Sequence, residues 1–348
     1  MAISLLKIEN FRNIRELTLT PAPCLNMLWG DNGSGKTSIL EAIYTVARGR
    51  SFRGRAAGSI ITKGESSLTV FTTSKILNKK HQIGIRKTSR ETKVRHNGIT
   101  VNKLSELAQI TPLQIITPNS HEILERGPEY RRRFLEWGVF HVEHNYKTCH
   151  KEFIKALMHR NSALRGGREQ LDIWDRVLGE IGGKLDILRK RYFDHFKDTV
   201  KDEFKLFLPN DAVDISWKKG WSYSGSLEDS LIEYRDRDIE RGFTQVGPHR
   251  ADICVKFKGR SCKQSASRGQ QKLILVAMHL AQATISERIN QISPIILIDE
   301  MASELDRKNR ELLLDRLRSL NTQVFLTGTD PINQDGIKLF HVEHGAVA

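Results

Sequence analysis

The chain has 348 residues, 39% of them hydrophobic, and a formal net charge of +14. That is enough apolar material for two domains, or for one large domain with an insertion, so a disordered chain is excluded; the basic excess calls for a polyanionic partner, nucleic acid before anionic membrane. Cys24, Cys149, Cys254 and Cys262 lack metal-ligand spacing, the opening MAISLLKIENFRNIREL lacks an apolar signal core, and no apolar run reaches the ~18 residues needed to span a bilayer, so a soluble cytoplasmic protein without a membrane partner is expected.

In chain order, Ile3 to Ile8 and Leu17 to Thr20 read as strands, and CLNMLWG reads as a buried strand leading into GDNGSGKT. Ile39, Leu40, Ile43 and Val46 then recur at helical spacing, so the glycine-rich loop sits between a strand and a helix, as a phosphate-binding loop requires. From residue 59 to about 103 the pattern alternates and carries an Asn97-Gly98 hairpin signal, which predicts a small antiparallel sheet. Eight cations there (Lys75, Lys79, Lys80, Arg86, Lys87, Arg90, Lys93 and Arg95) face one acid, Glu91; such a run is either a solvated face or a DNA contact.

After TPLQIITP the period turns helical. One stripe runs through Tyr146, Cys149, Phe153, Leu157, Asn161 and Leu164, and Arg165-Gly166-Gly167 breaks it. A second runs from Trp174 through Leu178, Ile181, Leu185 and Tyr192 to Phe204, with Gly182-Gly183 expected to weaken it. The stripes predict two helices of roughly 35 residues, paired as a short antiparallel hairpin. VDISW and GFTQVGPHRADICVKF return to strand character, and PIILIDE, RKNRELLLDRLRSL and TQVFLTGTD follow as strand, helix, strand. The expected fold is α/β: a P-loop domain of residues 1–117 and 243–348, with the antiparallel subdomain at about 59–103, split by a mainly helical insertion at 118–242.

Gly30, Gly35, Lys36 and Thr37 satisfy G-x-x-x-x-G-K-[ST]. In such a loop Asp31, Asn32, Gly33 and Ser34 expose the backbone that wraps a β-phosphate, Lys36 reaches the β and γ oxygens of ATP, and the Thr37 hydroxyl ligates Mg²⁺. Asp299 and Glu300 end a wholly apolar strand, where charge is costly unless a cation waits there. Asp299 is expected to hold Mg²⁺ through water and Glu300 to take the proton of the attacking water, so Lys36 and Glu300 are the catalytic assignments. The stretch SASRGQQKLIL opens a second polar helix start at Ser267, Gly269 and Gln270, a further phosphate receptor. One pocket needs only one loop, so this helix is expected to cap the nucleotide of another subunit.

These pieces, with ASELD after the acidic pair, occur in the order and spacing of the ABC-type ATPases of chromosome maintenance and repair. SRGQQ is similar to their signature, with Ala266 where a Leu is usual, and SELD resembles their D-loop, with Asp306 facing the dimer partner. Their histidine after the last core strand is missing; LTGTD offers Thr327, Thr329 and Asp330 instead. LLKIENFRNI, GRSFR, TPNSHEILERGPEYRRRFLEW and GPHRAD resemble the bacterial RecF recombination-mediator family over almost the whole chain. That resemblance implies an ABC-type fold and an ATP-dependent homodimer that binds single-stranded, double-stranded or gapped DNA. It further implies work with RecR and RecO to load RecA, and a weak DNA-linked ATPase. Arg12 matches an arginine that related ATPases bring near the nucleotide, Gln114 and Asn119 are both candidates for the Q-loop role, and Arg131 to Arg133 suit either phosphate contact or interdomain ion pairs. The competing readings are the nucleotide-binding subunit of a membrane transporter and a P-loop small-molecule kinase.

Overall fold

The structure is a computed structural model that describes residues 1–54, 60–76, 79–166, 168–222, 224–300 and 305–347. Ser59 at the start of the predicted sheet, Gly167 of the predicted helix break, and Ser303 and Glu304 of the predicted D-loop lie outside the described residues. The chain folds as two compact units, one formed by 1–120 with 286–348 and the other by 121–285.

The first unit opens with β1 (Ala2–Phe11), β2 (Ile14–Leu19) and β3 (Leu25–Trp29), followed by α1 (Lys36–Arg48). Next come β4 (Ser67–Ile76), β5 (Lys79–Thr88), β6 (Thr92–His96), β7 (Ile99–Thr100), α2 (Leu104–Ile110) and β8 (Leu113–Ile116). The second unit holds α3 (Glu122–Glu125), α4 (Pro128–Val142), α5 (Tyr146–Arg165), α6 (Leu171–Phe207), β9 (Val213–Lys218), α7 (Leu227–Glu233), α8 (Arg235–Arg241), β10 (Asp252–Phe257), β11 (Arg260–Ser261) and α9 (Cys262–Ser265). Helix α10 (Arg268–Asn290) leads back to β12 (Ile295–Ile298), α11 (Arg307–Ser319), β13 (Val324–Gly328), β14 (Ile337–Glu343) and β15 (Ala346–Val347).

Two six-stranded sheets build the first unit, in the orders β2-β1-β4-β5-β6-β7 and β15-β14-β3-β13-β12-β8. The first is antiparallel, each strand hairpin-connected or returning beside β1; in the second, β14, β3, β13, β12 and β8 run parallel. Helix α1 shares one apolar core with both sheets: Ile39, Leu40 and Ile43 join Leu6, Ile8, Val70 and Ile85 of one and Leu28, Leu297 and Phe325 of the other. Packed on both sides, α1 is buried nearly all round, its polar Ser38, Glu41 and Thr45 included, and Gly49 ends it in a left-handed turn whose N–H returns to Thr45 O.

In the second unit α5 and α6 pair as predicted, but unequally, at 20 and 37 residues. Glu143 turns extended after α4 and stops the first stripe from reaching further back. Gly182 does not weaken α6: a Cβ there would stand 2.3 Å from Leu227 Cδ2, so the missing side chain makes room for α7. Between the two long helices the fully buried Arg160 donates to Asp175 Oδ1 and Asp238 Oδ2, each at 2.6 Å, and to Thr244 Oγ1 at 2.8 Å. Buried charge is tolerated here because each of these donors meets an acceptor. GFTQVGPHRADICVKF is strand only from Asp252; Gly247 at φ +128° and Pro248, which lacks an N–H, set a 3₁₀ turn ahead of it.

Candidate functional site

The glycine loop leaves β3 and enters α1 at the C-terminal edge of the parallel strands, where open α/β sheets bind ligands. Gly30 has φ +143°, and a Cβ on it would meet Val342 O at 2.3 Å, so the loop presses against β14 in a way only glycine permits. Lys36, almost wholly buried, donates from Nζ to Gly30 O at 2.7 Å and Asp31 O at 2.8 Å, which arches the loop over its ammonium. Asn13 in the β1–β2 turn donates from Nδ2 to Gly33 O and Ser34 O at 3.3 and 3.2 Å and accepts from Ser38 Oγ at 2.9 Å. Gly345 N–H reaches Ser34 O at 2.7 Å. These bonds pin the Gly33 and Ser34 carbonyls and fix the loop's shape.

At the edge of the cavity beside this loop, Thr37 Oγ1 donates to Asp299 Oδ1 at 2.9 Å. Thr327 Oγ1, on the intervening strand β13, donates to the same Oδ1 at 2.9 Å and accepts from the Glu300 N–H at 2.8 Å. Glu300 itself takes φ +53°, an uncommon conformation for a residue with a Cβ.

The cavity measures about 600 Å³ and is lined by Asn32, Gly33, Gly35, Lys36, Thr37 and Glu300, together with Arg12, Asn13, Ser38, Arg53, Ile61 and Lys63. Asp299 reaches it through Thr37. Arg12, also left-handed at φ +57°, is held bidentate by the buried Glu41 at 3.0 and 2.8 Å, and Ser51 Oγ donates to the same carboxylate. Four cationic side chains, a ring of glycine-loop backbone and the buried Ser34 Oγ, which lacks a hydrogen-bond partner among the described residues, fit a polyphosphate; Thr37 beside Asp299 is an oxygen donor pair suited to Mg²⁺. A larger open groove of about 960 Å³ carries Glu311, Asp315 and Asp335 on its wall and does not suit an anion. Asn13, Arg53 and Lys63 escaped the sequence reading, since none belongs to the loop motif.

Ser267, Gly269 and Gln270 belong to the 121–285 unit. Ser267 and Gln270 form a reciprocal cap: Ser267 N–H donates to Gln270 Oε1 at 2.9 Å, and Gln270 N–H to Ser267 Oγ at 3.3 Å. Gln270 Nε2 also donates to Asp211 Oδ2 at 3.1 Å, while Ser267, Arg268 and Gly269 are exposed. Asp306 is exposed and caps α11, accepting from Asn309 N–H at 2.9 Å and Asn309 Nδ2 at 2.7 Å; these bonds hold its carboxyl below the usual range. Gln114 is buried within β8 and Asn119 is exposed beyond it; neither lines the cavity. Arg131 pairs with Asp252, Arg132 donates to Ala251 O and Arg133 binds Glu129, all within one unit. The basic run splits by strand alternation: Lys80, Arg86, Lys93 and Arg95 are exposed, whereas Lys87 points inward, 8% exposed, with burial lowering its pKa. The two copies of FHVEH differ, the first ending α4 and the second lying in β14, where His341 stacks on Trp29 at 4.1 Å.

Residues 2–341 match the family described as RecF/RecN/SMC N terminal domain. Over 356 positions the chain is 36% identical to the DNA replication and repair protein RecF of Shewanella baltica, covering 100% of this chain and 99% of the relative. The chain belongs to the RecF family. A second RecF, from Stutzerimonas stutzeri, is 38% identical over 361 positions and is covered to 97%. Among solved structures, this RecF-family chain is similar to the recombination mediator protein RecF-ATPrS of the RecFOR pathway, with TM-score 0.87 and 25% identity, covering 99% of this chain and 97% of that one. It shares its fold with an Smc head bound to the C-winged helix domain of ScpA, with TM-score 0.64, 16% identity, and 100% and 96% of the two chains covered. The α/β ABC-type fold with a helical central region, expected from sequence, is thus the fold of this RecF-family chain. Among the described residues, no helix is long and apolar enough to cross a membrane.

Proposed function

We propose that this RecF-family chain is an ATP-dependent DNA-binding protein of recombinational repair and replication restart, in which ATP closes a head-to-tail homodimer on DNA and hydrolysis releases it. The observation that carries the reading is the glycine-loop cavity, with Lys36 and three further cations on its wall and Thr37 joined to Asp299 at its edge. The RecF-ATPrS form of the similar solved protein, and its place in the RecFOR pathway, support both the nucleotide and a role beside RecO and RecR in helping to load RecA.

In this mechanism the amides of Asn32 to Thr37 and the Lys36 ammonium bind and orient the phosphates, with Gly30 and Asp31 carbonyls handing the ammonium over. Arg12, fixed by Glu41, adds a positioned positive charge on the cavity wall. Thr37 and Asp299 would hold a magnesium ion, which would supply charge neutralisation at the phosphate oxygens. Glu300, which lines the cavity, takes the proton of the attacking water. Ser267, Gly269 and Gln270, with Asp306, complete the site of the partner subunit. DNA phosphates are held by the exposed cations of β4, β5 and β6: Arg86 stands opposite Lys93 and Lys75 opposite Lys80, like-charge neighbours that an anion would relieve.

Sedimentation with and without ATP, repeated with short single-stranded, double-stranded and gapped DNA, tests the reading. A shift to dimer with ATP, and DNA bound by that dimer, is the expected result; a monomer under every condition would overturn it.

A further inference from the structure

Strand β13 lies between β3, which feeds the glycine loop, and β12, which ends in the acidic pair. Its register sets Leu326 opposite Ile298 and Thr327 opposite Leu28, so Thr327 arrives beside the peptide that leaves β12. Thr327 is 1% exposed, and its hydroxyl is used in both senses, donating to Asp299 Oδ1 at 2.9 Å and accepting from Glu300 N–H at 2.8 Å. The backbone it grips is the one that needs holding: Glu300 sits at φ +53°, a conformation that persists only when its surroundings impose it. Thr329 and Asp330, the other polar residues where related ATPases carry a histidine, bond each other at 3.0 Å at the surface and do not line the cavity.

We propose that Thr327 is a positioning residue for hydrolysis, its hydroxyl locking the left-handed turn so that the Glu300 carboxylate stays directed into the nucleotide cavity while Asp299 is held for the metal. The proposal rests on the reading of Glu300 as proton acceptor. A reacting group displaced by about 1 Å loses much of its effect, so a clamp on this turn acts on turnover rather than on nucleotide binding, which is carried by Lys36 and the loop.

The experiment compares Thr327→Val, which keeps the shape and removes the hydroxyl, with Thr327→Ser, which restores it, and with Glu300→Gln. Steady-state ATP hydrolysis is read beside mant-ATP affinity in Mg²⁺ and a thermal midpoint on each full-length protein. Thr327→Val is expected to lose about tenfold or more in kcat with mant-ATP affinity within about threefold of wild type, and Thr327→Ser to recover most of the rate. Wild-type turnover in Thr327→Val would overturn the proposal. So would a fall in mant-ATP affinity equal to the fall in rate and shared by Thr327→Ser, because that marks the residue as merely structural. Normal hydrolysis by Glu300→Gln is a separate outcome: it removes the Glu300 assignment itself, whatever Thr327→Val does.

Discussion

Thr37 Oγ1 donates to Asp299 Oδ1 at 2.9 Å, joining the first turn of α1 to the end of β12 across 262 positions of sequence. With Lys36 on the loop side and Glu300 on the strand side, the two halves of the site carry separable tasks. Glu300→Gln is expected to bind ATP with near wild-type affinity while hydrolysis falls by about 10² or more. Lys36→Ala is expected to lose nucleotide affinity and, with it, any ATP-induced dimer. Filter binding and phosphate release measured on the same preparations check both; normal hydrolysis by Glu300→Gln would require another base.

What the sequence made legible was local. The glycine loop and PIILIDE each announce themselves within eight residues or fewer, because strand, turn and helix chemistry are written in consecutive positions. What stayed hidden depends on partners distant in the chain. Asn13 is ordinary as a residue and acts only because the β1–β2 turn lies against Gly33 and Ser34. The FHVEH repeat makes the limit concrete: one copy ends a helix and the other is a strand, so tertiary surroundings, not the pentapeptide, decide its form. Lys87 was counted with a basic surface because charge runs are read linearly, whereas a strand turns alternate residues to opposite faces.

Asn13 gives the next prediction. Asn13→Asp replaces an amide donor to two loop carbonyls with a carboxylate that repels them, and places negative charge on the cavity wall. Nucleotide affinity is expected to drop by about tenfold, the usual scale for one charge-sensitive hydrogen bond of about 1.4 kcal/mol. Gly345→Ala should act in the same direction, since its Cβ would meet Asn13 O at 2.4 Å and its φ is +81°. Isothermal titration with an ATP analogue reads both, and unchanged affinity would show that the loop keeps its shape without these supports.

For the proposed DNA face, alternation makes a contrast available within one strand. Replacing Lys80, Arg86 and Lys93 with Ala should flatten the log-log salt dependence of duplex binding, by about 0.9 for each phosphate no longer neutralised. Lys87→Met should leave the slope unchanged, because Lys87 is buried on the inner face of the sheet. An equal effect of both changes, or none from the first, would move the DNA site to another surface.

Stability should depend on pH through His279, whose imidazole is buried beside Phe134 with neither nitrogen hydrogen-bonded among the described residues. Burial pushes its pKa down to about 4 from 6.5, so the folded state favours the neutral ring. A depressed folded pKa means that stability is complete above about 6.5 and is lost as pH falls toward about 4, which for this group is about 2 kcal/mol between pH 7 and pH 5. Urea denaturation of wild type and His279→Leu at the two pH values isolates that share: the variant should lose correspondingly less, and equal losses would place the acid sensitivity elsewhere.

The proposed shared site makes the most discriminating prediction. Lys36→Ala removes a subunit's own phosphate lysine, while Ser267→Arg blocks the polar helix start that it offers to its partner, so each pure dimer should be inactive. Ser267 also accepts from Gln270 N–H as a helix cap, and losing such a cap costs about 1 kcal/mol, so Ser267→Arg must first be shown to be folded. In a mixed dimer the Ser267→Arg subunit brings an intact glycine loop and the Lys36→Ala subunit an intact signature, which leaves one pocket wholly wild type. With random exchange in a two-fold dimer about half the dimers are mixed, so mixing should restore roughly a quarter of wild-type hydrolysis if the pockets fire independently, and less if they are coupled. A linked dimer carrying both substitutions in one subunit has no intact pocket and should give none; hydrolysis by that molecule would mean that Ser267 serves its own chain.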